Sequence, residues 1–265
     1  FWDEPYHIAS AQKYLHGVYF MEQHPPLGKL FIALGEKLLH PNEKTDQFLG
    51  TDYARDFAAD SSFAGYRLFP TLFGFGSAIL FFFLFLTLTK NPTLSALFSF
   101  LYIFDNAQIV HSRGAMLDST LLFFALLTLL IFFLLQKKHL STRRFIALSI
   151  LFGASFACAL TTKVVALILL ALIPFFSIVL FPDYRRLVLF CVSAGMSFFL
   201  LYSSVWMTHF ALGSTIVSNL PDQGYYQASP AYKDILATKS NRSLLNFPIM
   251  LRDSLRFVSH YNNGV

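Results

Sequence analysis

Residues 71–89 have the sequence TLFGFGSAILFFFLFLTLT, and residues 115–135 have the sequence AMLDSTLLFFALLTLLIFFLL. Each run is close to the roughly 20 apolar residues that an α-helix needs to cross the hydrocarbon core of a bilayer. Backbone groups in lipid must be hydrogen-bonded internally, which an open strand cannot do. The two runs therefore predict membrane-spanning helices and indicate the fold class.

Further apolar runs cover residues 93–110, 145–161, 164–181 and 187–206. With them the sequence predicts an all-α polytopic membrane protein of about six transmembrane helices. The run at 93–110 carries Asp105, Asn106 and Gln108 near its end. An alternative therefore ends this helix near Phe104 and leaves 105–114 as a re-entrant or interfacial loop.

The composition supports a membrane protein. Of the 265 residues, 55% are hydrophobic and 13% are charged, whereas about 25% of an average soluble domain is charged. A soluble enzyme, a disordered chain and a fibrous protein are thereby excluded. Cys158 and Cys191 both lie in apolar runs and have no metal-ligand spacing. We expect neither a metal nor a cofactor.

The distribution of charge predicts the orientation of the six helices. One set of alternate loops carries seven basic residues and one acid, Asp183, whereas the rest of the chain carries 13 basic and 14 acidic residues. The basic loops should be cytoplasmic. The seven basic residues are Lys90, Lys137, Lys138, Arg143, Arg144, Arg185 and Arg186. The net charge of +5 is thus a topology signal rather than a sign of nucleic-acid binding.

Three segments follow. Residues 1–66 form an outer loop with short amphipathic helices at 5–16 and after Pro25-Pro26, and a polar surface loop at 40–64. Residues 67–206 form the transmembrane region. Residues 207–265 form an outer loop or the start of a soluble segment, with an amphipathic stretch from Leu251 to Val258. Without Met or a signal peptide at the start, the chain is interpreted as a fragment.

Several charged groups map to the outer segments, and each has a plain structural explanation. Asp3-Glu4 is a solvated acidic pair or part of a site. The string HPPLGK, from His24 to Lys29, is a rigid turn that opens an interfacial helix, with Lys29 reaching towards water. The structural explanation of Arg67 is that it anchors the first span at the membrane interface.

Ionisable groups inside the spans are costly and usually face a partner, water or a site. Asp105, Arg113 and Asp118 lie at the outer ends of two predicted spans. Arg113 either pairs with Asp118 or Asp105 as a structural ion pair, or these groups belong to a site. Lys163 caps a turn, reaches to the interface or binds an anion.

Carboxylates, a histidine and several cations on one membrane face suit a reaction on an anionic lipid. A carboxylate can deprotonate a hydroxyl acceptor, and Arg and Lys can neutralise a phosphate leaving group. A membrane transporter is the competing class. It would place its charges nearer the midplane and show inverted repeats, and neither pattern is visible in the sequence.

The order of four motifs resembles the protein O-mannosyltransferase family, GT-C-fold enzymes that use a polyprenyl-phosphate sugar donor. They are Trp2-Asp3-Glu4 followed by HPPLGK, then Gly65-Tyr66-Arg67, then Asp105-Asn106-Ala107 with Arg113 and Leu117-Asp118-Ser119, and last Thr161-Thr162-Lys163. The match runs from residue 1 to about 206. The resemblance implies an inverting transfer of mannose, or a related sugar, to Ser or Thr hydroxyls of proteins. A related enzyme that glycosylates a lipid or glycan is the alternative.

The resemblance also implies roles for single residues. Asp3 would be the catalytic base with Glu4 beside it, and Lys163 would contact the donor phosphate. The remaining candidates for donor or substrate binding are Arg67, Arg113, His24, Lys29 and Asp118. The implied partners are the lipid-linked donor, an acceptor protein, the bilayer and a second subunit. The tail suggests a bacterial-type member in an inner membrane with a periplasmic site, or an ER membrane if the source is eukaryotic.

Overall fold

The computed structural model describes residues 3–137, 139–180, 183–217 and 228–262. Trp2 of the first motif, the basic loop residue Lys138 and Phe181, the last residue of the predicted run 164–181, lie outside these residues. The described chain is nearly all helical, with one isolated parallel bridge between Val18 and Thr215. The helices are α1 Glu4–His16, α2 Leu27–Leu39, α3 Ala64–Thr89, α4 Pro92–Ile103, α5 Asn106–Arg113, α6 Asp118–Leu135, α7 Thr142–Leu160, a 3₁₀ helix Val164–Ala171, α8 Leu172–Leu180, α9 Tyr184–Leu212, α10 Pro230–Ala237 and α11 Phe247–Asn262.

The chain divides into two compact units. Of the residues that the structure describes, those within 1–69, 114–116 and 204–265 form the first unit, and those within 70–113 and 117–203 form the second. The predicted outer segments, 1–66 and 207–265, thus fall in the same unit.

Short helices build the first unit, and three of them confirm predicted elements. α1 covers the stretch predicted at 5–16, α2 follows Pro25-Pro26, and α11 contains the amphipathic stretch near the end. Pro26 immediately precedes α2, where its fixed backbone angle suits the start of a helix. Helix α2 crosses the start of α3 closely. A methyl group on Gly35 would lie 2.3 Å from the carbonyl oxygen of Gly65, so only glycine fits this contact.

The segment between α2 and α3 is only partly the surface loop that the sequence predicted. Phe48 and Ala54 are buried in a cluster with Ala9 of α1. Lys13, which is buried on α1, forms an ion pair with the exposed Asp52 of this loop. Two apolar side chains placed among the polar ones therefore fold the loop back onto α1, because their burial removes apolar surface from water.

The second unit contains the apolar helices. Four helices, α3, α6, α7 and α9, are long and apolar enough to cross a membrane, and the pair α4–α5 makes a fifth if its bend of 62° lies within one span. The described helices thus confirm the fold class and the interruption near Phe104. The fifth predicted span, at 164–181, is shorter than expected: its apolar helix covers only Val164–Ile178, and its first part is 3₁₀. The protein is an integral membrane protein.

Helices α6 and α7 form an antiparallel hairpin that decides which charged groups meet. Residues 136–141 connect them, and near their middle Thr128 Oγ1 donates a hydrogen bond of 2.9 Å to Ser155 Oγ. In this register the start of α6 lies beside the end of α7. Helix α9 packs on the same hairpin: a methyl group on Gly153 would lie 2.0 Å from the Ala194 carbonyl oxygen.

Candidate active site

Asp3 stands at the start of α1 with an exposed side chain. Its backbone carbonyl accepts hydrogen bonds from the N–H groups of Tyr6, at 3.1 Å, and His7, at 3.3 Å. The carboxylate makes no capping hydrogen bond. Within the described residues it has no ion pair either. Asp3 therefore presents a carboxylate whose oxygens are available to a ligand.

The neighbouring Glu4 is buried, in contrast to the exposed Asp3. It is only 4% exposed, and its carboxylate accepts three hydrogen bonds. Arg67 donates from Nε to Oε1 at 2.7 Å and from Nη2 to Oε2 at 2.9 Å. The N–H of Ala115 donates a third bond to Oε1, at 2.7 Å. The guanidinium also lies 4.7 Å from the centre of the Phe63 ring. Such a bidentate arginine–carboxylate pair is strong and directional. Glu4 is therefore held in place as an acceptor of hydrogen bonds.

The HPPLGK string supplies a buried cation, contrary to the interpretation in which Lys29 reaches towards water. Lys29 is 1% exposed and pairs with Glu22 Oε2, while Ser10 Oγ donates to Glu22 Oε1. Burial lowers the pKa of the Lys29 ammonium from its ordinary value, and the Glu22 carboxylate opposes this shift. The pair ties α2 to α1 and to the loop before it.

His24 lies on that loop, and its ring centre is 6.5 Å from the ring centre of His7 on α1. His7 is buried one turn after Asp3. The sequence interpretation did not include His7 or Glu22. The four-residue spacing of Asp3 and His7, which places both on one helix face, is the signal that could have identified the histidine. Nothing in the sequence marks Glu22, since its partner Lys29 is on another element.

In the second unit, Asp118 is the centre of the charged group. Lys163 Nζ donates to Asp118 Oδ1 at 2.6 Å, and His111 Nδ1 lies 3.0 Å from Asp118 Oδ2. Of the two alternatives for Arg113, the structural ion pair with Asp118 or Asp105 is therefore wrong. The reason is the α6–α7 hairpin, which brings Lys163, just after α7, to the first residue of α6.

Arg113 and Asp105 have other environments. The Asp105 carboxylate accepts a hydrogen bond from the N–H of Gln108 at 2.9 Å, as a side chain at the start of a helix commonly does. Arg113 is exposed and makes no ion pair with any residue in the described ranges. The structure thus joins Glu4 with Arg67 in the first unit and Asp118 with Lys163 in the second, and leaves Asp3 and Arg113 accessible.

The comparisons with known proteins agree with this set of motifs. Residues 1–228 match the family described as dolichyl-phosphate-mannose-protein mannosyltransferase. Dolichyl-phosphate-mannose–protein mannosyltransferase 6 from Candida albicans is 30% identical over 199 residues, which cover 67% of this chain and 22% of the relative. Protein O-mannosyltransferase 1 from Drosophila pseudoobscura is 28% identical over 171 residues, which cover 64% of this chain and 18% of the relative.

A solved structure of the Saccharomyces cerevisiae protein O-mannosyltransferase Pmt1-Pmt2 complex, bound to the sugar donor, has the same fold. Its TM-score is 0.74 at 19% sequence identity, and the match covers 88% of this chain and 32% of the solved chain. The chain spans about a fifth of the length of the curated relatives. Because the family match extends over most of its residues, the chain belongs to the dolichyl-phosphate-mannose-protein mannosyltransferase family.

Proposed function

We propose that the full-length protein transfers a mannosyl residue from a dolichyl- or polyprenyl-phosphate donor to Ser or Thr hydroxyls of proteins. Membership of the family supports this donor and this acceptor. The observation that carries the proposed site is the contrast between the two adjacent carboxylates. Both carboxylate oxygens of the buried Glu4 accept hydrogen bonds, three in all, whereas Asp3 is exposed and available.

Asp3 is the proposed base. Its carboxylate takes the proton of the acceptor hydroxyl while the hydroxyl oxygen forms a bond to the anomeric carbon of the donor. The bond from that carbon to the phosphate oxygen breaks on the opposite face, and its electron pair leaves with the phosphate. The configuration at the anomeric carbon therefore inverts. Glu4, held by Arg67, fixes the first turn of α1 and with it the position of Asp3.

The other candidate residues receive supporting roles. Lys163 is the proposed contact of the leaving phosphate, and Asp118 orients its ammonium group. Arg113 is accessible, but the transfer proposal gives it no role. Lys29, through its buried pair with Glu22, supports the loop that carries His24, which is the proposed substrate contact on that loop.

The proposed site faces the side of the membrane opposite the basic loops, which is the periplasm or the ER lumen. The distribution of basic residues along the sequence supports this orientation. The solved relative is a complex of two mannosyltransferases, and we extend the proposal to a dimer of this protein. Chemical cross-linking in native membranes, followed by mass determination of the product, tests the dimer.

The substitution Asp3→Asn in the full-length protein tests the function. Membranes receive radiolabelled polyprenyl-phosphate mannose and an acceptor peptide rich in Ser and Thr. We expect label in the peptide with the wild type and a loss of about 10²–10⁴-fold with Asp3→Asn, since general-base catalysis contributes a factor of that size. Asp46→Asn, which changes an exposed acid of the same unit, is the matched control.

Two results would contradict the proposal. Transfer that survives Asp3→Asn would refute the assignment of the base. Label found in lipid or free glycan rather than in peptide, with the wild type, would refute the protein acceptor.

A further inference from the structure

The second unit contains a groove of about 780 Å³ between α3 and the bent pair α4–α5. Helix α4 ends at Ile103, and α5 starts at Asn106 after a bend of 62°. Tyr102 and Ile103 line the groove before the bend, and Gln108, Ile109, Ser112 and Arg113 line it after the bend. The bend therefore forms one wall, and α3 forms the other.

The α3 wall is one helical face. Its lining residues follow the pattern i, i+3, i+4, i+7, i+8 and i+11 of one helix face and are Thr71, Gly74, Phe75, Ala78, Ile79 and Phe82. At 1.5 Å per residue the face extends about 16 Å along the helix. Ser112 packs closely on Gly74, whereas the small side chain of Ala78 leaves room, and Phe75 is 70% exposed. In a span this exposure is towards lipid, so the groove is open and apolar, and its length suits part of a hydrocarbon chain.

One end of the groove is polar and positive. Arg113 lines it together with Ser112 and Gln108, and none of the lining residues is an acid. The guanidinium is exposed and has no ion-pair partner in the described ranges, whereas the nearby His111 is already engaged by Asp118. An arginine without an ion-pair partner at the end of this apolar groove is complementary to a ligand with a hydrocarbon chain and an anionic head group.

We propose that this groove binds an anionic phospholipid, with one acyl chain against α3 and the phosphate on Arg113. The sugar donor also joins a hydrocarbon chain to a phosphate, but transfer needs a base beside the sugar, and this groove has no carboxylate in its lining. The site goes beyond the proposed transfer reaction. It is a lipid contact of the transmembrane unit and needs neither donor nor acceptor.

Photo-cross-linking tests the site in the full-length protein without any donor. The protein is placed in phosphatidylcholine nanodiscs that contain phosphatidylglycerol with a photoreactive group in one acyl chain. After irradiation, peptide mass spectrometry locates the label. We expect label within 71–82 and 102–113, and competition by excess unlabelled phosphatidylglycerol but not by excess phosphatidylcholine.

Two variants and two controls sharpen the experiment. Arg113→Gln removes the phosphate contact, and Ala78→Phe fills the groove, so each should lower the labelling about fivefold or more. Lys90→Gln and Ala96→Phe make the same kinds of change at exposed positions that do not line the groove, and should label as the wild type does. Comparison at equal amounts of protein recovered in nanodiscs accounts for any loss of folded material.

The proposal is wrong if Arg113→Gln and Ala78→Phe label as strongly as the wild type. It is equally overturned if phosphatidylcholine competes as well as phosphatidylglycerol does, or if no label appears on these helices because another segment covers them. Displacement by a polyprenyl phosphate at lower concentration than by phosphatidylglycerol would assign the groove to the donor. None of these results depends on transfer activity, which the Asp3→Asn experiment measures separately.

Discussion

Glu4 and Arg67, 63 positions apart in the chain, form a bidentate ion pair that joins the first turn of α1 to the first turn of α3. The distances are 2.7 Å from Nε to Oε1 and 2.9 Å from Nη2 to Oε2. The carboxylate is buried, whereas the side chain of Arg67 is 34% exposed. The pair therefore anchors the residue that follows Asp3 while the guanidinium keeps access to solvent. Of the two adjacent acids, Glu4 is therefore fixed by Arg67, and Asp3 remains accessible to a ligand.

Replacement of Arg67 by lysine should reduce transfer more than it reduces folding. Lysine keeps the charge but cannot make both hydrogen bonds to Glu4, so the start of α1 and Asp3 lose their fixed position. The loss of one charge-assisted bond predicts about a tenfold fall in kcat. Measurement of kcat and KM on full-length protein checks this, with Arg55→Lys, at an exposed arginine that lies over Tyr53, as the control. An unchanged kcat would show that the pair does not position the base.

Replacement of Glu36 by glutamine should stabilise the protein near neutral pH. Glu36 is buried on α2, and its Oε2 has no hydrogen-bond partner among the described residues. Burial raises the pKa of this carboxyl above its ordinary value of 4.5, although a hydrogen bond from Asn42 opposes the shift. The neutral form therefore favours the fold. Its contribution is complete below pH 4.5 and is lost as the pH rises through the raised pKa.

The unfolding temperature of the wild type and of Glu36→Gln, measured between pH 4 and pH 8, checks this prediction. We expect the advantage of the glutamine variant to be small at pH 4 and to grow with pH. Asp46→Asn, at an exposed acid, should show no such trend. A glutamine variant that is less stable than the wild type across the whole range would contradict the prediction.

Alanine at Gly153 and alanine at Gly195 should have opposite effects on stability. A methyl group at Gly153 would collide with backbone, 2.0 Å from the carbonyl oxygen of Ala194, whereas one at Gly195 meets nothing within 4 Å. We expect Gly153→Ala to cost about 1–3 kcal/mol, as overpacking does. Gly195→Ala should gain up to about 1 kcal/mol from helix propensity. Recovery of folded protein by size-exclusion chromatography after heating measures both, and equal recoveries would refute the close α7–α9 crossing.

A double-mutant cycle should show coupling between Asp118 and Lys163. Their side chains form a hydrogen-bonded ion pair at 2.6 Å, and removal of either partner leaves the other charge at the end of an apolar helix. We expect Asp118→Asn and Lys163→Met each to lower stability, and the double variant to lose less than the sum of the two. Additive losses would show that the pair contributes nothing to the fold.

The same variants separate the structural role of Lys163 from its proposed contact with the donor phosphate. If Lys163 binds the phosphate, Lys163→Met should raise the KM for the donor, and Lys163→Arg should restore part of the affinity. Lys90→Gln, which removes an exposed cation of the same unit, should leave the KM unchanged. An unchanged KM, with a Vmax that falls only in proportion to the amount of folded protein, would show that Lys163 acts only as the partner of Asp118.

The elements that can be predicted from the sequence are those with a local physical requirement. Long apolar runs must be helices in lipid, and Pro25-Pro26 before a periodic apolar stretch marks the start of α2. The predicted span at 164–181 differs because apolar composition does not distinguish one continuous helix from a 3₁₀ turn followed by a short helix. The polar composition of 40–64 likewise predicts a surface loop, although Phe48 and Ala54 are apolar and pack the loop onto α1.

Hydrophobicity and motif order are properties of the chain, so they alone identify a membrane protein, locate its apolar helices and mark the charged residues of the family motifs. The pairing of those charges, in contrast, follows from the packing of the helices. Asp118 pairs with Lys163 rather than with Arg113, Lys29 is buried against Glu22, and Glu4 rather than Asp3 receives Arg67. An ion pair depends on the distance between atoms that packing brings together, and residues far apart in the chain acquire that distance only when the helices pack.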